Sequence, residues 1–166
     1  MDISFFSNDY TVRRMEKADV ADIYLLCSKN GLYYQYCPPF VTEQSILDDM
    51  KALPPNKEIC DKYYVGYYKE EELIAVMDFI MAYPDEKTAF IGFFMTAASI
   101  QNTGIGSSII DDLCRYLADI RLSSIRLGWV KGNPQAEHFW HKNNFKETGI
   151  TYDTDNYTVV VAQRVL

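Results

Sequence analysis

The chain has 166 residues, 48% hydrophobic and 23% charged, with 23 acidic side chains against 16 basic ones and a net charge of −7. That length suits one domain around one core. The acidic balance argues against a nucleic-acid surface, which needs clustered Lys and Arg, and leaves a cationic ligand open.

Residues 1–6 lack the basic-then-apolar pattern of a secretion signal. Residues 10–15 alternate and predict a first strand. From Asp19 to Cys27, the spacing of Val20, Ile23, Tyr24 and Cys27 predicts a helix, with Gly31 as its stop. Tyr33, Tyr34 and Tyr36 then precede Cys37-Pro38-Pro39, and the prolines predict a loop. A second helix starts at Thr42 as N-cap, with Glu43 in the first turn and Ser45 at the third helical position. It runs to Leu53 and stops at Pro54-Pro55. Residues 62–68, 73–81 and 88–96 read as three strands of an antiparallel meander. The middle one is so continuously apolar that both faces should be covered.

Residues 105–120 predict the longest helix, with Ile105, Ile109, Ile110, Leu113, Cys114 and Leu117 in one stripe and an Asp111–Arg115 pair. Residues 124–130 form a strand, Asn133 caps a last helix, and strands 148–152 and 157–165 flank a turn at 153–156. The order β α α β β β α β α β β predicts a mixed α/β fold with helices on both faces of the sheet. No run reaches the roughly 18 apolar residues of a membrane-spanning helix. Cys27, Cys37, Cys60 and Cys114 contain no CxxC pair, so free thiols in a reducing cytoplasm are expected.

Two segments carry chemistry. Gln101-Asn102-Thr103-Gly104-Ile105-Gly106 follows a strand and opens the long helix. A helix N-terminus offers free N–H groups and a positive dipole end, and glycines admit a phosphate to the backbone. A flexible loop before a helix is the plain alternative. A dinucleotide fingerprint would need Gly at position 109, which is Ile, and a P-loop would need Gly-Lys-Ser/Thr where Gly106-Ser107-Ser108 stands. The second segment runs from Asn133 through Pro134 to Phe145. Asn133 is a good N-cap, Pro134 suits the first helical position, and Asn144 suits a left-handed C-terminal turn.

Together these segments resemble the two central motifs of the GNAT family, the GCN5-related N-acetyltransferases, along nearly the whole of residues 1–166. The resemblance implies one GNAT domain with a mixed, mostly antiparallel sheet, and acetyl-CoA as acetyl donor. It implies that backbone N–H groups of Gln101, Asn102, Thr103, Gly104, Ile105, Gly106 and Ser107 hold the pyrophosphate. It implies that backbone groups of Met95 and Thr96 bind the pantetheine arm, with Met95 polarising the thioester carbonyl, and that Asn133 touches the pantetheine. Three departures stand out. Ala98 replaces a common Pro, Asn102 and Thr103 replace common cations, and Trp140 replaces the Tyr that often protonates the leaving thiolate. Indole does not titrate usefully, so Trp140 is expected to pack beside the thioester.

Asp78 is a lone carboxylate in an apolar strand. It needs a partner or a cleft, and a structural hydrogen bond and proton handling are both open. Tyr33, Tyr34 and Tyr36 lie where similar proteins shape the acceptor pocket, and could hold an alkylammonium or belong to the core. His138 and His141 lack a third ligand, so no metal is expected. The resulting expectation is transfer of acetyl to a primary amine, on a small molecule or a peptide, by direct attack. A non-catalytic acyl-CoA-binding module is the alternative. No nucleic-acid or membrane partner is expected, and a homodimer is left open.

Overall fold

The computed structural model describes residues 1–166. Its elements are β1 (Thr11–Arg14), α1 (Val20–Ser28), α2 (Gly31–Tyr36), α3 (Glu43–Asp49), β2 (Lys62–Lys69), β3 (Glu72–Ile80), β4 (Thr88–Thr96), α4 (Ile105–Asp119), β5 (Ser124–Val130), α5 (Pro134–Lys142), β6 (Lys146–Asp153) and β7 (Thr158–Val165). They form a seven-stranded sheet in the order β1-β2-β3-β4-β5-β7-β6. Every neighbouring pair is antiparallel except β4–β5. The fold is therefore the mixed, mostly antiparallel sheet that the motifs implied.

Alternation along β3 divides the core between the two faces of the sheet. Ala75, Met77 and Phe79 pack on the side of α4, whose Ile109, Ile110, Leu113 and Leu117 have no exposure at all. Each such side chain stabilises by about 1.5–3 kcal/mol on burial. Val76 packs on the other side, with Ile23, Leu26 and Cys27 of α1 and Ile46 of α3. Helices thus cover both faces, as the apolar run of β3 predicts.

Local chemistry sets the helix starts. Thr42 and Ser45 exchange hydrogen bonds, each side-chain oxygen accepting from the other's backbone N–H at 3.0 Å. Asn133 Oδ1 accepts from Ala136 N–H at 3.2 Å, and Asn144 adopts φ +64°.

Two expectations are corrected. Residues 31–36 are a helix, not a loop, and Gly31 opens it instead of stopping α1. A six-residue helix is too short to show a period or to stand alone, and Tyr33 and Tyr34 help hold it by packing against the core. The second predicted helix ends at Asp49, four residues short of Leu53. Its last carbonyls are taken by turn bonds from Met50, Lys51 and Ala52.

Candidate functional site

The parallel pair supplies the opening. β4 and β5 are in register only from Thr88↔Ser124 to Ile91↔Leu127. Beyond that, β4 stays with β3 and β5 stays with β7, so the two strands part. Gly92 marks the change. Asp78 pairs with Phe93 and Phe79 with Ile91, which leaves Gly92 as the extra residue of a bulge. A Cβ at 92 would stand 2.7 Å from Asp78 Oδ2, so a larger residue would have to push aside the carboxylate that Lys62 holds.

A cavity of about 450 Å³ runs through the gap. It is lined by the start of α4 and by α5, and also by Tyr33 of α2, by Cys37, and by Tyr157 before β7. At the start of α4, Ser108 N–H bonds to Gly104 O at 3.0 Å, and the amides of residues 104–107 have no backbone partner. They are open donors at the positive end of a 15-residue helix. Gln101 and Thr103 amides are instead engaged in turn bonds at 3.4 Å, to Ala98 and Ile100. Of the predicted cradle, Gln101, Asn102, Gly104, Gly106 and Ser107 line the cavity, and Thr103 and Ile105 do not. Thr103 Oγ1 turns back to Ile100 O, and Ile105 packs against the core.

The two glycines differ in role. Gly104 takes φ +92° with nothing within 4 Å of a Cβ position. Gly106 is hemmed in: a Cβ there would lie 3.2 Å from the Phe139 ring and 3.4 Å from Thr96 Cγ2. It is needed for the packing of α4 on α5 and β4, more than for access.

The oxyanion assignment to Met95 is corrected by the strand itself. Ala97 N–H donates to Ile74 O at 2.8 Å. Alternation puts the backbone groups of Met95 on that same β3-facing side, and those of Phe94 and Thr96 toward the gap. The donors that face the opening are therefore Phe94 and Thr96.

Trp140 is 7% exposed and packs among Phe94, Phe139 and Phe145, with ring centres 4.9–6.1 Å apart. It also lines the cavity, as does Asn133, which is 3% exposed and carries the α5 cap. Asp78 does not line it. Lys62, 2% exposed, places Nζ 2.7 Å from both Asp78 carboxylate oxygens and donates to Ala52 O at 2.9 Å. Burial pushes the Asp78 carboxyl up and Lys62 opposes that rise. The partner required of a buried carboxylate is thus a buried ammonium.

Of the three tyrosines, Tyr33 lines the cavity, edge-on to Phe93 at 6.0 Å. Tyr34 packs on Phe40 instead, and neither Tyr34 nor Tyr36 reaches the cavity wall. Sequence reasoning missed Cys37, Tyr157, His138 and Lys142, all of which line it. The Cys37 Sγ and Tyr157 Oη share a hydrogen bond at 3.4 Å across 120 residues. The bond to Cys37, in which the hydroxyl gives its hydrogen to sulfur, followed by burial, pushes the Tyr157 hydroxyl up to about 12, so it stays protonated. No local pattern announces such a contact. His138 and Lys142 could have been found: with Gln135 they stand at i, i+3 and i+7 on α5, one face of a helix. No carboxylate lines the cavity.

The family model described as the acetyltransferase (GNAT) family matches residues 30–145. Comparison with curated protein sequences finds no match. Among solved structures, an acetyltransferase from Thermus thermophilus superposes with a TM-score of 0.74 at 14% identity, covering 95% of this chain and 97% of that one. An N-acetyltransferase from Thermoplasma acidophilum in complex with coenzyme A gives 0.66 at 12%, covering 93% and 99%. A spermidine N-acetyltransferase mutant from Vibrio cholerae gives 0.66 at 18%, covering 96% and 95%. These three likenesses speak to the fold.

Proposed function

Because the chain belongs to the acetyltransferase (GNAT) family, matched over residues 30–145, we propose that it moves acetyl from acetyl-CoA to a primary amine by direct attack. The observation that carries this reading is the row of unpartnered amides at 104–107, set at the mouth of the β4–β5 gap. Those amides and Asn102 would hold the pyrophosphate. Lys142 and His138 would add the donors and charge that the loop lacks. Phe94 and Thr96 N–H groups would meet the pantetheine and the thioester oxygen, where preorganised donors favour the developing negative charge.

The amine would enter past Tyr33, Cys37 and Tyr157. Its neutral nitrogen would attack the thioester carbonyl, the C–S bond would break, and the proton released from the nitrogen would balance the one the thiolate takes up as CoA leaves as the thiol. An alkylamine with pKa about 10.4 is almost wholly protonated at neutral pH. With no carboxylate on the wall, the aromatic surround of Tyr33 and Phe93 would lower that pKa by disfavouring the charged form. Asp78 would act behind the wall, holding Lys62 and the bulge at Gly92, and not as a base in contact with the amine.

A panel of diamines, amino acids, aminoglycosides and N-terminal peptides, with acetyl-CoA and thiol detection, tests this. Acceptor-dependent release of CoA thiol is the expected result. The second reading is a non-catalytic acyl-CoA-binding module. It is favoured by Trp140 in place of a titrating residue and by the absence of a carboxylate from the cavity wall. Saturable acetyl-CoA binding without thiol release from any amine would select it. No binding at all would remove both.

A further inference from the structure

We propose that Asn30 is a positioning residue that couples the cofactor end of the cavity to its acceptor wall. This rests on the acetyl-CoA reading above. Asn30 stands at the corner between α1 and α2 and is 7% exposed. Its side chain has partners on α1, on β4 and on the loop before α4. Nδ2 donates to Leu26 O in α1 at 3.0 Å and to Thr96 O at the end of β4 at 3.3 Å. Oδ1 accepts from Gln101 Nε2. Gln101 Oε1 in turn accepts from Gln135 Nε2 on the first turn of α5, at 3.2 Å. One chain of amides thus ties α1, β4, the loop before α4, and α5.

The helix after Asn30 gives this tie its consequence. α2 has six residues, none buried, and a helix of that length is unstable alone. It is anchored at its ends. At the first, Tyr33 N–H bonds to Asn30 O at 3.0 Å; just past the other, Cys37 bonds to Tyr157. Apart from Tyr33 and Tyr34, which pack against the core, α2 buries little, and a six-residue helix with no fully buried residue is a low-stability segment. It nevertheless carries Tyr33 and leads into Cys37 on the acceptor wall. Gln101 sits in a run of turns with φ +62° at Asn102 and +92° at Gly104. A phosphate that fixes these turns fixes Gln101, and Gln101 holds Asn30 and hence the start of α2. Coupling of this kind is reciprocal, so order in α2 also favours the loop geometry that receives phosphate.

The test is amide hydrogen exchange on the full chain, with and without CoA. In the wild type, CoA slows exchange both at 104–108 and at 31–37, the latter about tenfold, within the usual range of coupling. Gln101→Ala cuts the relay and leaves Asn30 bonded to Leu26 and Thr96; at a CoA concentration that saturates the variant, shown by full protection at 104–108, it loses the response at 31–37. Asn30→Ala loses it as well, with a lower melting temperature. The proposal is overturned if 31–37 does not respond in the wild type while 104–108 does, or if Gln101→Ala leaves the response at 31–37 intact. CoA protection at neither segment overturns the cofactor reading itself.

Discussion

Gly104 and Asp78 show how one residue's surroundings decide what its replacement does. Gly104 has a positive φ and open space around it. Gly104→Asp costs only about 1 kcal/mol of backbone strain. It sets a carboxylate where a phosphate would lie, so the protein should still fold and lose its thermal shift with CoA. A shift equal to wild type would place the phosphates elsewhere. Asp78 is enclosed, and its ammonium partner is buried. Asp78→Ala leaves Lys62 uncompensated and should cost about 3–5 kcal/mol in denaturant unfolding. Asp78→Asn keeps an acceptor for Lys62 and should cost less, with kcat little changed for any acceptor found. A large fall in kcat at unchanged stability would return Asp78 to proton handling. Trp140→Phe should keep turnover and the shape of the pH–rate profile, because the ring excludes water and gives no proton. Loss of activity in that variant at normal CoA affinity and melting temperature would assign a role to the indole N–H.

Among the elements, those that sequence made legible are the ones that carry a period or a cap. α4 shows its stripe, β3 its continuous apolar run, and α5 its Asn133-Pro134 start. The cradle glycines were legible for the same reason, since their chemistry is local. α2 was not, because six residues give no period and Gly31 looks like a stop. The acceptor end was not, because Cys37 and Tyr157 meet only after the sheet has folded. Nor was the inversion at Met95, which depends on which edge of β4 pairs with β3. The junction of β1 and α1 offers a test of local electrostatics. Asp19 accepts from both Arg13 guanidinium nitrogens, at 2.9 and 2.7 Å, and from Glu16 N–H at 2.7 Å. Arg13, foremost, holds its carboxyl below the usual range. A lowered folded pKa stabilises above the unfolded value of about 3.9, and the gain is lost as pH falls through the folded value. Asp19→Asn should therefore cost about 1–3 kcal/mol at pH 7, toward the low end because Arg13 is half exposed. The gap to wild type should narrow once pH falls below the unfolded value of about 3.9 and close when the folded carboxyl is protonated. A gap that stays constant down through acid unfolding would mean that shape, not charge, holds this corner.

For the whole molecule, a net charge of −7 repels any ligand rich in phosphate, and the cradle must overcome that locally. Two attractions are available. The α4 dipole contributes about 0.3–1 kcal/mol, and an exposed ammonium a few ångströms from a phosphate contributes about 1 kcal/mol. The distant carboxylates act mostly beyond the Debye length, about 8 Å at physiological salt, so salt screens them first. Contacts at the cradle are screened less but lose strength steadily as salt rises. The two trends oppose each other, and Lys142 decides the balance, because the loop itself has no cation. Wild-type affinity for CoA should fall modestly from 50 to 300 mM salt. Lys142→Ala should weaken binding about three- to tenfold at low salt, equivalent to 0.7–1.4 kcal/mol. Its salt dependence should flatten or reverse, since repulsion by the acidic surface then dominates. Titration calorimetry with CoA and with 3′-dephospho-CoA would show which phosphate Lys142 meets. If it meets the 3′-phosphate, the variant and wild type bind the dephospho form equally. If it meets the pyrophosphate, the loss persists with both ligands. Identical salt slopes for the two proteins would mean that Lys142 lies outside the phosphate field and that the free amides of 104–107 hold the ligand unaided.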